Sequence, residues 1–253
     1  MNYKWEWSIF FQPAADGSGT WLNFLVVGIY WTLATALAAW VMALVIGSAI
    51  GTIRTTPVKW LVRLGNAYVE IFRNVPLLVQ MFLWFFVLPE LMPQQLGDAI
   101  KQMPPPWSAY VPAVLCLGFY TSVRVAEQVK AGIQSLARGQ AMAGTALGLT
   151  LPQTYRYVLL PMCFRIILPP LTSEFLNVIK NSSIALTIGL LELTGRARAM
   201  QELTFKVFEA FAAATVLYLV INLVVVLLMR LLERKLRVPG FIGSTATTPQ
   251  AGH

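Results

Sequence analysis

The sequence predicts an all-α integral membrane protein with five transmembrane helices, and three observations lead there. Of 253 residues, 57% are hydrophobic and only 12% charged, with a mean hydropathy of +0.65. A soluble domain carries about a quarter charged residues, so lipid is the expected solvent. The apolar residues also gather into runs long enough for the roughly 20 residues that cross a bilayer as a helix. Finally, the basic residues behind the net charge of +8 lie at the ends of those runs, where topology signals sit. That placement argues against a nucleic-acid surface. Length alone would allow one or two soluble domains, but hydropathy argues for a single membrane unit over residues 22–238. Residues 1–21 then form an outer, interfacial segment, and 239–253, ending in "GSTATTPQAGH", a disordered tail.

Taken in order, the opening "MNYKWEWSIFFQP" lacks the basic region and apolar core of a cleavable signal. The first long run is therefore expected to direct insertion. It spans about Leu22 to Ile53, longer than needed, so its start is expected along the interface. The second runs from about Leu61 to Leu88, with polar residues in its first half. A proline-rich and therefore stiff loop, Pro89–Pro112, leads to the third, about Tyr110 to Val129. The fourth covers about Ile166 to Leu190 and the fifth about Phe208 to Leu232.

An odd number of spans puts the termini on opposite sides, and Lys and Arg near the span ends decide which. One side gathers Arg54, Lys59, Arg63, Lys130, Arg138, Arg156, Arg165, Arg230, Arg234, Lys235 and Arg237. The other has Lys4, Lys101, Arg196, Arg198 and Lys206, offset by seven acidic residues from Glu6 to Glu209. The N-terminus is expected outside and the C-terminus in the cytoplasm. Trp5, Trp7, Trp21 and Trp107 then fall at the outer headgroup layer.

Enzyme chemistry finds little support. The sole histidine is His253, and Cys116 and Cys163 sit in apolar surroundings that suit packing better than a disulfide or metal pair. The GxxxxGK[ST] phosphate loop is absent. The chain is read as a transport subunit that binds no cofactor and does not hydrolyse ATP. Internal repeats, common in secondary transporters, are also missing.

Between spans three and four lies an elbow, "GQAMAGTALGLTLPQTYRYVLLP" (Gly139 to Pro161), too short to span. Ala141, Ala143, Gly144 and Ala146 allow close approach of another backbone. Gly148 suits a turn with positive φ. Thr150 offers an N-cap and Pro152 fits the first helical turn. Tyr155, Val158 and Leu159 form one apolar stripe, and Pro161 is expected to close the unit. On these residues alone, the elbow is either a linking hairpin or a knob for a cytoplasmic partner.

The elbow resembles the cytoplasmic loop of ABC importer permeases. "VEIFRNVPLLVQ" (Val69–Gln80), "RVAEQVKAGIQSLARGQ" (Arg124–Gln140) and "SEFLNVIKNSSIA" (Ser173–Ala185) resemble signatures of the polar amino-acid importers within that family. "LTLPQTYRYVLLP" and "ERKLRVPG" are most similar to the glutamate/aspartate permeases. The resemblance covers most of the chain. It implies a type I importer permease in a bacterial inner membrane, serving acidic amino acids or, alternatively, another polar amino acid or amide such as glutamine or asparagine. A secondary transporter or channel subunit is the weaker rival. Implied partners are a second permease subunit (a paralogue rather than self), two ATP-binding subunits, a periplasmic amino-acid-binding protein and membrane lipid, with no nucleic acid.

In that family the loop seats in the ATPase, which assigns coupling to Gly139, Gln140, Met142, Ala143, Gly144, Gly148, Leu149, Pro152 and Tyr155. Met142-Ala143-Gly144 replaces the usual Glu-Ala-Ala, so coupling here should rest on shape around Gly148 rather than an acidic contact.

Ionisable residues inside spans are costly and mark functional candidates. Arg73 and Asn74 precede Pro76, which lacks an N–H and so should leave the Phe72 carbonyl free for a substrate ammonium; Arg73 paired to Glu70 in a packing kink is the alternative. Arg124 stands where the family usually has an aromatic residue, and a guanidinium there can meet a substrate carboxylate bidentately. It could equally snorkel or pair with Glu127. Span four carries Glu174, Asn177, Lys180, Asn181, Ser182 and Ser183. The resemblance places them on the translocation path or the seam between permeases. A structural charge network is the other reading.

Overall fold

A computed structural model describes residues 3–17 and 19–236; the expected tail lies outside them. Among the described residues the protein is helical apart from turns and one isolated bridge between Pro13 and Thr20. The helices are α1 (Trp21–Ile53), α2 (Lys59–Arg73), α3 (Leu77–Phe82), α4 (Leu88–Leu91), α5 (Gln94–Lys101), α6 (Trp107–Gln134), α7 (Arg138–Ala146), α8 (Leu151–Thr154), α9 (Leu160–Asn181), α10 (Leu193–Thr204) and α11 (Val207–Leu236). Four continuous helical stretches are long and apolar enough to cross a membrane, and α2 with Leu77–Leu91 makes a fifth, bent by 97°.

The central contact is α1 against α6, two spans running in the same direction. It is close because glycine faces it. A Cβ on Gly47 would stand 2.5 Å from the Ser122 carbonyl oxygen and 2.6 Å from Val125 Cβ; one on Gly51 would meet the Ala126 carbonyl at 2.7 Å. Small residues at helix contacts let backbones approach where water gives no driving force. α9 returns antiparallel across this pair, stacking Phe175 on Trp40 (centroids 5.2 Å apart) and bringing Cys163 Sγ to the Val129 carbonyl at 3.5 Å. Cys116 and Cys163 are both free and buried in this core. α11 packs outside α9 and α10, and its outward side chains, Leu219, Leu223, Leu227 and Leu231 among them, are apolar.

At the α1 N-terminal end, α10 lies across the bundle, held by a buried carboxylate. Glu192 caps α10 through the Gly195 amide (2.8 Å) and accepts from Tyr218 of α11 (2.8 Å) and Thr32 of α1 (3.2 Å). Burial pushes this carboxyl above the usual carboxylate range, against the pull of those donors. Nearby, the N-terminal segment is fastened to α11. Tyr3 donates to the Glu209 carboxylate, as does the Glu6 amide at 2.8 Å, and Lys206 pairs with Glu6 at 2.5 Å.

The elbow holds one departure from the sequence expectation. α7 ends in a Schellman turn: the Leu149 amide reaches the Gly144 carbonyl (3.1 Å) and the Gly148 amide the Thr145 carbonyl (3.0 Å), with Gly148 at φ +76°. Gln153 Oε1 then accepts from the Thr150 amide at 2.8 Å to start α8. Pro161, however, does not close the unit. Tyr155–Leu159 forms a π turn between α8 and α9, and the helical path runs on from Leu151 to Ile188. A π turn widens the hydrogen-bond ladder and lies immediately before Pro161, so the helical path takes the missing N–H without ending. The second helix of the elbow, from Leu151 onward, is therefore an unbroken extension of span four, joined to α7 by the Gly148 turn.

Gly47→Leu should force α1 from α6 and cost about 1–3 kcal/mol by overpacking. Thermal melting of the purified protein tests this; an unchanged midpoint would mean the helices are not in close contact there.

Candidate functional site

A cavity of about 300 Å³ opens between α2, α6 and α9, lined by Phe72, Arg73, Tyr120, Val123, Arg124, Glu127, Gln128 and Glu174. Helical spacing explains the shared face: Tyr120, Arg124, Glu127 and Gln128 recur at three- and four-residue steps on α6. Antiparallel α9 carries Glu174 opposite Arg124. α2 brings Phe72 and Arg73 to the cavity at its end, where the chain bends by 97° into Leu77–Leu91.

Each charge has a defined position. Arg124 donates to the Tyr120 hydroxyl at 3.2 Å and lies 3.6 Å from Glu174 Oε2, too far for a hydrogen bond. Glu174 Oε2 is buried and lacks any hydrogen-bond partner. Arg73 donates to Glu70 at 2.9 Å, in the kink pairing, while also lining the cavity. Glu127 does not pair with Arg124. Its partner is Arg54, whose Nη2 donates to Glu127 Oε1 at 2.9 Å. The cavity thus presents a guanidinium and a carboxylate that face each other without closing.

The proline break differs from expectation in one respect. Pro76 does interrupt the helix, but the Phe72 carbonyl is not free. Gln80, buried to 4% exposure, donates its amide to the Phe72 carbonyl (2.8 Å) and the Val75 carbonyl (2.9 Å). Asn74 is also turned inward on its own helix, donating to the Glu70 carbonyl at 2.8 Å. The break therefore shapes the cavity but offers it no bare carbonyl at Phe72.

Along α9, Asn177 and Asn181 are half-buried and Lys180 exposed. Ser182 is buried, donating to the Ile179 carbonyl at 2.8 Å, and Ser183 donates to the Lys180 carbonyl at 2.7 Å. Helix α9 tightens here into a 3₁₀ turn, Ser182–Ile188, and ends at Gly189 with φ +88°. None of these five polar residues after Glu174 lines the cavity.

The elbow is the second candidate region. Met142 is 69% and Leu147 80% exposed, and Gly139, Ala143, Gly148 and Pro152 are exposed beside them. Gly144 is buried because Thr154 packs on it. Gln140 and Leu149 are half-buried. Tyr155 faces inward and donates its hydroxyl to the Thr55 carbonyl at 2.8 Å. The result is an apolar tip on a braced stem.

Arg54, Tyr120, Gln128 and Gln80 were not legible as site residues. Arg54 reads as a topology charge at the end of span one, and Gln80 carries no charge to draw notice inside an apolar run.

A polytopic helical bundle with a charged cavity between its spans and an exposed apolar elbow has the form of a transport subunit rather than an enzyme. Residues 43–238 match the family described as "Binding-protein-dependent transport system inner membrane component", and the chain belongs to that family. It is 47% identical to the glutamate/aspartate import permease protein GltJ of Escherichia coli K12, over 96% of this chain and 99% of the relative. It is 34% identical to the probable glutamine ABC transporter permease protein GlnM of Bacillus subtilis, over 83% and 91%. Among solved structures, an amino acid ABC transporter crystallised with histidines superposes with a TM-score of 0.71 at 31% identity, covering 85% of this chain and 95% of that one. The chain is thus an inner-membrane ABC permease subunit that works with other subunits of such a transporter.

Gln80→Leu should strand the Phe72 and Val75 carbonyls at the break, at about 1–3 kcal/mol for each buried group left unpaired. A fall in the melting midpoint is expected; wild-type stability would mean that those carbonyls have other partners.

Proposed function

We propose that this permease carries glutamate and aspartate inward, with the elbow on the cytoplasmic side. The observation that carries the reading is the open Arg124–Glu174 pair. A zwitterion with a second carboxylate fits it: the side-chain carboxylate meets Arg124 in bidentate fashion, and the ammonium meets Glu174 Oε2, which lies 3.6 Å from Arg124 but accepts no hydrogen bond. Arg73 adds positive charge at the mouth. The name of the similar E. coli permease supports the same substrates. A periplasmic binding protein would deliver the amino acid, a second permease subunit (a paralogue) would close the path along α9, and two ATPase subunits would grip the two elbows.

The elbow suits that grip. Its tip is apolar and exposed, its turn is fixed by Gly148, and its second helix continues into α9. Displacing the tip therefore moves the element that carries Glu174.

Arg124→Tyr should raise the KM for glutamate roughly ten- to hundredfold, the range for a lost charged hydrogen bond. Amide substrates should be affected much less. Glutamate- and glutamine-stimulated ATP hydrolysis by the assembled transporter measures both; an unchanged glutamate response would make Arg124 a structural residue. Gly148→Asp places a charge on the apolar tip and a Cβ at positive φ, yet nothing lies within 4 Å of that Cβ. Uptake should be lost while the permease pair still assembles, and normal uptake would refute the docking role.

A further inference from the structure

The turn after α1 touches both candidate regions at once. Arg54 is only 8% exposed. Its Nη2 holds Glu127 at 2.9 Å, and its Nε donates to Asn66 Oδ1 at 2.9 Å. Its stem lies over Gly65, where a Cβ would come within 2.6 Å of Arg54 Cγ. The next residue, Thr55, contacts the elbow. Its carbonyl accepts the Tyr155 hydroxyl at 2.8 Å, and its own hydroxyl is 3.1 Å from the same oxygen. Tyr155 opens the π turn between the elbow and α9. Two adjacent residues of one turn thus bind the elbow and a cavity carboxylate.

We infer that Arg54 and Thr55 form the joint through which elbow movement reaches the substrate cavity. The inference rests on the proposal that the elbow receives force from the ATPase. Drawing Tyr155 away pulls on Thr55, and the turn moves the adjoining Arg54 with it. Glu127, whose side chain is 40% exposed at the cavity, then loses the cation that neutralises it. The cavity gains one negative charge next to an anionic substrate and releases it. With Tyr155 seated, Arg54 covers Glu127 and the anion is tolerated. The two elbow positions therefore differ in affinity for the substrate, which a ligand-coupled switch requires. Neither residue touches the substrate in this account; both are positioning residues. The buried Arg54 Nη1, without a hydrogen-bond partner, is consistent with a side chain held by two contacts rather than locked by all its donors.

The test is a double-mutant cycle in the complete transporter, reconstituted in proteoliposomes with its ATPase and binding protein. Tyr155→Phe removes only the hydroxyl, and Glu127→Gln removes only the charge. The readout is glutamate taken up per ATP hydrolysed, with the melting midpoint measured alongside. Each single variant should lower that ratio by about fivefold or more, the lower bound of typical coupling between sites. The double variant should be no worse than the worse single one, because both break one chain of contacts. If Glu127→Gln does not assemble, Arg54→Lys replaces it, keeping the charge but losing the fork. Losses that multiply would overturn the joint. So would a Tyr155→Phe variant whose ratio is unchanged, whatever its melting midpoint. Gly148→Asp separates this failure from a broader one. If it is inactive while Tyr155→Phe is silent, only the joint falls; if it transports normally, the elbow reading falls as well.

Discussion

Inside a bilayer no water is available to take a backbone group that leaves the helical ladder, so each such group must find a partner in the protein. The architecture follows from how this chain meets that demand at its interruptions. At Pro76 the ladder breaks and the chain turns by 97°. The break is tolerable because Gln80 reaches back with two amide hydrogens to the Phe72 and Val75 carbonyls. At the elbow, the widened turn over Tyr155–Leu159 makes room for Pro161. At the far end of the same span, the 3₁₀ turn over Ser182–Ile188 borrows serine and threonine hydroxyls: Ser182, Ser183 and Thr187 all donate to carbonyls three residues back. Each interruption is locally satisfied. That is why a polar cavity can exist between helices without exposing bare backbone to it.

The fixed frame around the cavity depends on a different economy of shape. Gly47 and Gly51 let α1 and α6 meet at backbone distance, and Gly28 does the same for α1 and α10, where a Cβ would stand 2.9 Å from Leu193 Cα. Contact at that distance resists sliding, because any register shift drives a side chain into a carbonyl. Glu192 adds a directional tie among α1, α10 and α11 at the opposite end from the elbow. Gly47 and Gly51 therefore lock α1 to α6 close to the elbow, while Gly28 and the buried Glu192 brace the far end.

Much of this was legible in the sequence, and the limits have physical causes. Span number followed from apolar run lengths, because burial in lipid acts on each segment separately. Gly148 was legible for a similar reason: a left-handed turn is a local demand with few residue solutions. Charge pairing was not. Arg124 and Glu127 stand three residues apart on one helix, which suggests a pair, yet Arg124 lies nearest Glu174 and Glu127 binds Arg54, both on other helices. Helix spacing states only which side chains share a face. Which of them meet depends on the rotation of neighbouring helices, and that information is spread over all their contacts. Gln80 was missed for the converse reason, since a neutral amide gives no sign of its role until the broken carbonyls lie beside it.

The continuity of the elbow with α9 also limits how force can act. If Pro161 ended the elbow, as its residue type suggests, movement at Met142 and Leu147 would be absorbed by a flexible junction. With an unbroken helical path from Leu151 onward, the second helix of the elbow and Glu174 belong to one element, and the tip joins it through the Gly148 turn. That element meets the α1–α2 turn at Tyr155 and faces Arg124 further along. A displacement at the tip therefore acts on the cavity twice, directly through Glu174 and by way of Thr55 and Arg54 at Glu127. Both carboxylates change their distance from a guanidinium in the same motion. Opposed charges in a low-dielectric site respond strongly to small separations, so a modest movement of the exposed elbow suffices to change what the cavity will hold.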